Sequence, residues 1–325
     1  MSYSIKRYTN KFYDQWNGFV EDSNNGTIFH RMDFLNYHGH KFKSNEHSLV
    51  FFKGDSIVAL MPLSIYKKKE SKIAKSPFGA SFGGIVCKSK ISLSAAVKII
   101  ESLIDYLKVN NISECIVQTT PWYYHKKVNN YLEFAMLKKG FTLESRDLFN
   151  TIELPSKYED LWSSHYEGRC RTTIKKRENQ FKIINNVDVN EFYKILIEDK
   201  KRHNNSQPTH SLLELKFLVS IFPERIWFEI AIHKETKAKA AICYFKPVRN
   251  CLMTFYMCQE NDALKLDGKN ILIDSALKKA IHEGIKYFDF GGSSIGYDIE
   301  NYGVSKFKES FGAKGYFRDK FKLMI

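Results

Sequence analysis

Residues 265–270, Lys-Leu-Asp-Gly-Lys-Asn, are the first of four segments whose residue types could do chemistry. They lie between a predicted strand and a predicted helix, where the first backbone N–H groups of the helix form the positive end of its dipole. A pyrophosphate fits such a loop, and Gly268 would let it approach the backbone closely. Lys265, Gly268, Lys269 and Asn270 are therefore candidate cofactor-binding residues. The alternative is an ordinary strand-to-helix turn with an exposed lysine pair.

Residues 288–294, Phe-Asp-Phe-Gly-Gly-Ser-Ser, form the second segment. Asp289 lies between two aromatic residues at a predicted strand end, and the two glycines that follow free the backbone. A carboxylate here could act as a general base or orient one. The alternative is that Asp289 caps the turn through local hydrogen bonds.

The third segment, 303–313, contains Phe307 and Phe311 at a spacing that puts both on one face of a short helix. Lys308 then lies beside that face. A lysine held near a cleft could stabilise a developing oxyanion. The alternative is that Lys306 and Lys308 are both solvated. In either case a lysine at the edge of a helix face predicts that Lys308→Ala leaves folding nearly intact.

The fourth segment, 169–177, carries five positive charges and no carboxylate. Arg171 and Lys175 share a helix face and could bind phosphates, with the guanidinium offering two parallel hydrogen bonds. The alternative is a solvated basic face. Tyr256, in a predicted strand, is a further candidate for substrate binding.

A mixed set of strands and helices must position these segments. In the first half we predict strands over 49–52, 57–65, 81–87 and 114–119, a charged loop over 67–72, and a helix with its apolar face at Ala96, Ile99, Ile100, Leu103, Ile104 and Leu107. In the second half we predict strands over 227–233, 238–245, 251–258 and 287–290, with a helix after Gly268. The order strand, turn, strand, strand, helix, strand thus occurs twice, which predicts two domains of one fold.

Between these halves, 158–181 and the region around 189–197 have helical patterns. We place the domain boundary near 148–155, giving one domain over 1–150 and a second over 151–325 that carries the basic helix and the candidate catalytic segment. At roughly 150 residues per domain, 325 residues also suggest two domains. The predicted class is α/β (α+β), with mixed central sheets flanked by helices.

Composition limits the function classes. Apolar residues make up 43% and charged residues 26%, which excludes a largely disordered chain. The formal net charge of +14 favours anionic partners such as RNA, an acidic membrane surface or a phosphorylated small molecule. The six cysteines form no C-x-x-C pair and the histidines no H-E-x-x-H motif, so we expect reduced thiols and no metal site. With neither a signal peptide nor a membrane-spanning stretch in the sequence, we expect a cytoplasmic protein.

Taken together, the four segments resemble the Fem-type (FemAB-like) transferases, the branch with a GNAT-like fold that is often described as having a BioF2-like acetyltransferase domain. The resemblance covers roughly 27–321. It is carried by the basic helix around Arg171 and Lys175, by the Phe-Asp-Phe-Gly strand end at 288–291, and by Phe-Lys-x-x-Phe-Gly at 307–312.

The resemblance implies two tandem GNAT-like domains with a cleft between them, and acyl transfer to an amine. In Fem enzymes the donor is an aminoacyl-tRNA and the acceptor a nucleotide-linked peptidoglycan precursor; related members acylate amino sugars or other small amines. It also implies that Lys308 stabilises the tetrahedral oxyanion, and that Arg171 and Lys175 hold donor or acceptor phosphates.

The donor is where this sequence departs from the peptidoglycan enzymes. It lacks the long charged coiled-coil insertion that some of them carry for tRNA. Lys265-x-x-Gly268-x-Asn270 instead resembles the Q/R-x-x-G-x-G/A pyrophosphate loop of acetyl-CoA-dependent GNAT enzymes, with Lys and Asn at its two ends. We therefore expect an acyl-CoA donor, with aminoacyl-tRNA as the alternative.

The predicted function is N-acyl transfer from an acetyl-CoA-type donor to the amine of a small, phosphate- or nucleotide-linked acceptor, such as an amino sugar or a cell-envelope precursor. A tRNA-dependent aminoacyltransferase acting on a peptidoglycan precursor is the enzymatic alternative. A non-catalytic basic module that binds RNA or a membrane surface is the other. No DNA partner is expected. A formed Gly268 loop and a lysine in a cleft favour an enzyme, whereas a continuous basic face favours a binding module.

Overall fold

The computed structural model describes residues 3–39, 41–68, 71–202, 206–294 and 302–325. Within them the chain divides into two compact units. The first comprises residues up to Asp147 together with 317–325, and the second 148–294 together with the described part of 298–316. The prediction from sequence places 317–325 in the second domain, whereas the structure groups this last strand with the first unit.

The first unit begins with the elements β1 (Tyr3–Arg7), α1 (Tyr13–Asp22), α2 (Met32–Leu35), β2 (Leu49–Lys53), β3 (Ser56–Met61), β4 (Ser64–Lys68), β5 (Ser71–Ser76), β6 (Val86–Cys87), α3 (Leu93–Val109), β7 (Glu114–Gln118) and α4 (Tyr131–Lys138). Its described strands belong to two sheets. One has the strand order β1-β2-β3-β6, with antiparallel neighbours throughout. In the other, β5 lies between β4 (antiparallel) and β7 (parallel), and β7 pairs antiparallel with the last strand.

The remaining described elements of the chain are β8 (Thr142–Glu153), α5 (Tyr158–Ser164), α6 (Gly168–Arg177), β9 (Phe181–Asn185), α7 (Val189–Arg202), α8 (Leu212–Ile221), β10 (Ile226–His233), β11 (Lys239–Val248), β12 (Cys251–Gln259), α9 (Gly268–His282), β13 (Tyr287–Gly292), α10 (Tyr302–Glu309) and β14 (Lys314–Met324). The second unit contains a sheet with the strand order β8-β13-β12-β11-β10-β9. Its neighbours β12 and β13 run parallel, and its other neighbours are antiparallel.

Helices cover both faces of the sheet in the second unit. The apolar side of α9 packs on β9 to β12, and α5 and α6 pack on α9 in turn. On the opposite face lies α7, whose Phe192 ring meets that of Phe228 at 4.6 Å between centroids. The Asp274 carboxylate of α9 is buried and accepts hydrogen bonds from Tyr158 (2.5 Å) and Tyr166 (3.0 Å), so the layer of α5 and α9 is tied by polar contacts as well as by packing. This arrangement confirms the predicted α+β class with mixed sheets flanked by helices.

Helices α3, α7 and α9 form where the sequence pattern predicts a helix, whereas the helical pattern over 158–181 is two helices, α5 and α6, and α1, α2, α4 and α8 were not predicted. In α3, the Ser92 side chain caps the first turn by accepting from the Ala95 N–H at 3.2 Å. The predicted apolar stripe of α3 is buried at Ala96, Ile99, Ile100, Leu103 and Leu107.

Two strand predictions and one loop prediction in the first half were wrong. The strand predicted over 57–65 is two strands, because Pro62 has no N–H to donate to a ladder. The charged loop predicted over 67–72 contributes to a hairpin in which Lys67 pairs with Lys72. Strand β4 lies at the edge of its sheet, and charged side chains are typical of such a strand. Of the strand predicted over 81–87, only Val86–Cys87 forms. The first half therefore has one hairpin, β4–β5, more than the element order predicted for both halves.

Among the described residues, no helix is both long and apolar enough to cross a membrane. The same residues contain no group of three or more histidine, cysteine, aspartate or glutamate side chains arranged to hold a metal ion.

Two glycines of the second unit differ in how closely other atoms approach them, so they form a matched pair of test positions. Gly284 and Gly312 both have positive φ, +69° and +90°. A Cβ on Gly284 would meet nothing within 4 Å, whereas one on Gly312 would lie 2.5 Å from the His165 Cβ. Gly284→Ala should therefore cost about 1 kcal/mol for the left-handed backbone alone. Gly312→Ala should cost about 1–3 kcal/mol more for the overlap. Equal losses in urea unfolding would contradict the close approach at Gly312.

Candidate functional site

Strands β12 and β13 separate partway along their length. They pair in parallel from Cys251–Tyr287 to Met253–Asp289, and no further pair of these two strands follows in the described part of the chain. Beyond this point β12 continues beside β11 alone, with an extra residue, Phe255, between its pairings at Thr254 and Tyr256. The strands therefore part toward their carboxyl ends, which is where open α/β sheets bind ligands.

Lys308 belongs to α10, and its ammonium lies at the end of β13, where β12 and β13 part. Its side chain is 2% exposed. The ammonium donates to the carbonyl oxygens of Gly291 (3.0 Å) and Gly292 (2.7 Å) and to the Ser293 hydroxyl (2.9 Å). An ammonium has three hydrogens, so these three acceptors satisfy it completely. The structure thus contradicts the alternative in which Lys308 is a solvated charge, while Lys306 is exposed as that alternative has it.

Aromatic packing fixes the helix that carries Lys308. Phe311 is fully buried, and its ring contacts those of Tyr166 (5.4 Å), Phe307 (5.5 Å) and Phe290 (6.0 Å). The spacing of Phe307 and Phe311 therefore predicts the buried face correctly. Because the next residue, Gly312, leaves no room for a side chain, the end of α10 is held closely against His165.

Burial controls the protonation of Lys308. Desolvation lowers the pKa of its ammonium to about 8, and the nearby Asp289 carboxylate opposes this shift. With that pKa, about nine-tenths of the side chains carry a charge at pH 7. The site therefore presents a cation at neutral pH that is lost under mildly alkaline conditions.

Asp289 is fully buried and supports the turn after β13. Its Oδ1 accepts from the Gly291 N–H at 2.6 Å and from the Thr151 hydroxyl at 3.4 Å. Gly291 has φ of +77°, and the pairing between β13 and β8 is irregular between Asp289 and Gly292. These contacts are those of the turn-capping alternative. The carboxylate thus shapes the loop whose carbonyls bind Lys308.

Ser293 and Asn150 belong to the same site and were missed by sequence analysis. The Ser293 hydroxyl accepts from Lys308 and donates to the Asn150 side chain. The Ser293 N–H in turn donates to the Leu148 carbonyl at 2.8 Å. The only sequence signal for Ser293 is its place directly after the two glycines, and Asn150 has none, because it is 143 residues away along the chain.

The Gly268 segment forms the predicted strand-to-helix loop, with α9 beginning at Gly268. A Cβ on this glycine would lie 2.9 Å from the Ala240 Cβ and 3.1 Å from the Phe181 ring, so the glycine is required by packing within the protein. This differs from the expected role of admitting a pyrophosphate. Lys265 is exposed, and its carbonyl accepts from Arg177 at 3.2 Å.

The other two loop candidates are partly buried. Desolvation lowers the pKa of Lys269, with the Asp199 carboxylate opposing it. The Asn270 side chain interacts with the Cys170 thiol of α6. Together with the contact of Arg177 to the Lys265 carbonyl, this joins the basic helix to the start of α9.

Arg171 and Lys175 do lie together, beside Trp162. The Arg171 Nη1 donates to the carbonyl oxygens of Tyr166 (2.6 Å), Trp162 (3.3 Å) and Ser163 (3.3 Å), so this guanidinium caps the carboxyl end of α5. The Lys175 ammonium lies over the Trp162 ring at 5.8 Å. Of the predicted phosphate-binding pair, Lys175 is the exposed member.

Tyr256 lies on β12 after the point where the strands part. Its hydroxyl is 2.7 Å from the His210 Nδ1, and burial raises its pKa to about 12. The structure therefore gives Tyr256 a neutral hydroxyl at physiological pH.

Removing Lys308 would leave two carbonyls and a hydroxyl without their donor. We expect Lys308→Ala to lower the free energy of unfolding by about 3 kcal/mol, since each buried acceptor left unpaired is costly. This replaces the expectation that folding stays nearly intact. Lys306→Ala, two positions away and exposed, should stay within about 0.5 kcal/mol of the parent. Similar unfolding curves for the two variants would contradict the buried ammonium.

Comparisons with known proteins rest on structure alone, because no family model and no curated protein matches this chain. FemX superposes with a TM-score of 0.71 at 10% identity, covering 99% of this chain and 97% of the other. The C-terminal domain of a putative lysylphosphatidylglycerol synthetase from Agrobacterium fabrum gives 0.60 at 11% identity, over 96% and 92%. A tandem GNAT protein from the clavulanic acid biosynthesis pathway gives 0.55 at 7% identity, over 99% and 98%.

These identities establish the fold only. The match to FemX and to a tandem GNAT protein over nearly the whole length of each confirms the resemblance predicted from the four segments at that level. The chain has the Fem-type, tandem GNAT-like fold.

Proposed function

We propose that the protein is an N-acyltransferase in which Lys308 is a catalytic residue, acting on the carbonyl oxygen of the acyl donor. The observation that supports this most directly is a buried, charged ammonium at the carboxyl end of β13, beside the opening between β12 and β13. A cation that is held in place before the reaction can stabilise the charge of a tetrahedral intermediate. The fold, shared with FemX and a tandem GNAT protein, is consistent with this chemistry.

In the proposed reaction, the acceptor amine attacks the carbonyl carbon of a thioester or aminoacyl ester. The carbonyl electrons move to oxygen, which then accepts a hydrogen bond from Lys308. When the C=O bond reforms, the thiolate or alkoxide leaves, and the proton lost by the amine passes to the leaving group or to solvent.

A covalent acyl-enzyme is disfavoured by the cysteines of the second unit. Cys170, Cys243, Cys251 and Cys258 are all buried. Desolvation raises the pKa of Cys170 to about 11 and raises the pKa of Cys243 well above its usual value. Since the thiolate is the nucleophile, these thiols are unreactive at neutral pH, and direct attack by the acceptor is the simpler path.

For the donor, we propose an acyl-CoA of the acetyl-CoA type, whose pyrophosphate would meet the amino end of α9. Lys265 and Lys269 supply positive charge there, and the helix dipole adds to it. Gly268 has an internal packing role, so this proposal relies on the lysines and the helix end. An aminoacyl-tRNA is the alternative donor, and the higher TM-score with FemX favours it.

For the acceptor, we propose a small amine carrying a phosphate or nucleotide, such as an amino sugar or a cell-envelope precursor. The net charge of +14 and the exposed Lys175 beside Trp162 support an anionic group on it. Tyr256 offers a neutral hydroxyl, and Arg171 holds the helix that carries Lys175. We propose that the protein acts in the cytoplasm, where such precursors and both donors occur.

A ligand panel tests the class of donor. Acetyl-CoA, a nucleotide sugar and a charged tRNA would each be titrated into the protein while its melting temperature is followed. A ligand of the native state raises that temperature by mass action. Acetyl-CoA should do so, and Lys265→Ala with Lys269→Ala should weaken the effect. Stabilisation by charged tRNA alone would favour the aminoacyl donor. Equal, salt-sensitive binding of any RNA, with no transfer, would favour a binding module.

The catalytic role of Lys308 is tested with Lys308→Met, which retains most of the side-chain volume. With the donor and acceptor found above, kcat should fall by about 10²–10³-fold, the usual effect of losing one oxyanion donor. KM should change little, because the contact forms in the transition state. Activity should also decline in the parent as the pH rises through about 8, since deprotonation removes the cation.

Lys306→Ala is the matched control and should keep both the rate and the alkaline decline. In Lys308→Met the decline near pH 8 should be absent, because no group remains there to titrate. If this variant keeps the parent's rate, or the decline persists in it at a reduced rate, Lys308 is a structural residue.

A further inference from the structure

The second unit also contains a cavity with a volume of about 350 Å³. It lies at the carboxyl end of α9, over the part of the sheet formed by β10 and β11. Trp227, Glu229, Tyr244, Lys246, Lys279 and Glu283 are among the residues that line it. None of its lining residues belongs to the Lys308 site.

The strand register explains how polar groups come to this place. Trp227 pairs directly with Tyr244 across β10 and β11, and Glu229 is two residues further along β10, opposite Ile242. Side chains alternate between the faces of a sheet, so all of these point to the side covered by α9. Ile242 and Ala231 on the same face belong to the apolar core.

Two buried polar atoms at the cavity have no hydrogen-bond partner among the described residues: the Glu229 Oε2 and the Tyr244 hydroxyl. Glu229 is 3% exposed and Tyr244 0%. The other carboxylate oxygen of Glu229 is held by the Lys279 ammonium at 2.6 Å, and that ammonium also binds the Asn185 side chain. A buried polar atom without a partner is costly. Two of them lining one cavity indicate a site built for a ligand's own polar groups.

These two atoms determine which hydrogen bonds the ligand must make. Burial and the Glu229 carboxylate raise the pKa of Tyr244 well above its usual value, so its hydroxyl stays neutral and can donate. The Glu229 oxygen can only accept. A hydroxyl group satisfies both, because it accepts from the tyrosine and donates to the carboxylate.

The surrounding charges disfavour ionic ligands. An ammonium at the Glu229 Oε2 would meet the Lys279 ammonium on the other oxygen of the same carboxylate. An anion would meet Glu224, Glu229 and Glu283, of which Glu283 pairs with Lys246 at 3.1 Å. A neutral group avoids both costs.

The rings of Trp227 and Tyr244 form an aromatic wall of the cavity, which indicates that the ligand contains a ring. Trp227 and Tyr244 stack with their centroids 5.5 Å apart and their planes at 27°. Trp227 is partly exposed, so one flat apolar surface faces the cavity beside the hydrogen-bonding groups. The C–H face of a sugar ring packs on such a surface while its hydroxyls bind polar groups. The volume is near the lower end of the range for small-molecule sites, about 300–1,000 Å³.

We propose that this cavity binds a neutral, hydroxyl-bearing ring of the size of one monosaccharide, at a site separate from the Lys308 site. The proposal does not depend on the acyltransferase function, and its test needs no turnover.

The test uses saturation-transfer NMR on the full chain with glucose and N-acetylglucosamine as probes at about 10 mM, where weak sites are occupied. Binding should be detected for at least one of them. Tyr244→Phe should weaken it by about tenfold or more, because a hydrogen bond made only with the ligand is lost. The melting temperature of this variant should be unchanged or higher, because a buried hydroxyl without a partner is removed.

Tyr193→Phe is the matched control. It removes a tyrosine hydroxyl that donates to the His210 carbonyl and belongs to α7, on the other face of the sheet. Sugar binding should be unchanged in it. Trp227→Leu gives a second test of the aromatic wall if Tyr244→Phe fails to fold, and it too should weaken binding by about tenfold.

Several results would overturn the proposal. One is the absence of any signal from both sugars, and another is a signal that survives Tyr244→Phe and Trp227→Leu. Binding of spermidine or phosphate to this cavity in place of the sugars would show that its ligand is ionic. Loss of sugar binding in Lys308→Met, with Tyr244→Phe unaffected, would place the sugar at the Lys308 site.

Discussion

The end of strand β13 has two backbone carbonyls that need donors, and the buried Lys308 ammonium supplies them. Gly291 adopts a left-handed conformation, the pairing with β8 becomes irregular there, and the parallel partner β12 has already moved away. Carbonyls at such a point must find other donors, since buried backbone groups are almost always paired. One cation meets this need and so joins α10 to the sheet. The charge at the opening between the strands is therefore part of what makes the strand end stable.

The sequence predicts which side of α10 carries Lys308, but it does not predict that the lysine is buried. The spacing of Phe307 and Phe311 identifies the buried face of α10, because helical periodicity is a local property. The partners of the ammonium are 15 to 17 residues away along the chain, beyond a segment with no pattern of its own. Asp289 illustrates the same limit. Its place beside two glycines is consistent with a catalytic base or a turn cap, and only the bond to the Gly291 N–H distinguishes them.

Patterns of charge and of glycine are ambiguous as well, because they do not show which contacts a residue makes with distant parts of the chain. The run of basic residues at 169–177 predicts α6 correctly, yet Arg171 donates to carbonyls at the end of α5 and Arg177 to the Lys265 carbonyl. A positive net charge does not reveal which guanidinium groups are already used. Gly268 matches a ligand-binding motif in part, but Ala240 and Phe181 already require a glycine there. The cavity beside Glu229 gave no sequence signal at all, since a single acidic residue within an apolar strand has no periodicity to reveal it.

The two polar sites of the second unit differ in how far their hydrogen bonds are satisfied, and this difference bears on the proposed chemistry. Glu229 and Tyr244 have unused capacity, so a ligand can bind without displacing a protein partner. Lys308 has none, so an oxyanion must replace one of its three acceptors. Ser293 is the acceptor that can be replaced most cheaply, because its hydroxyl still donates to Asn150 afterwards. The bond given up comes from a charged donor and is worth about 1.5–3 kcal/mol. An oxyanion offers the same ammonium a hydrogen bond together with the attraction of a full opposite charge, which is strong at a buried position. The exchange therefore favours the oxyanion, and it does so only when the oxygen has become negative.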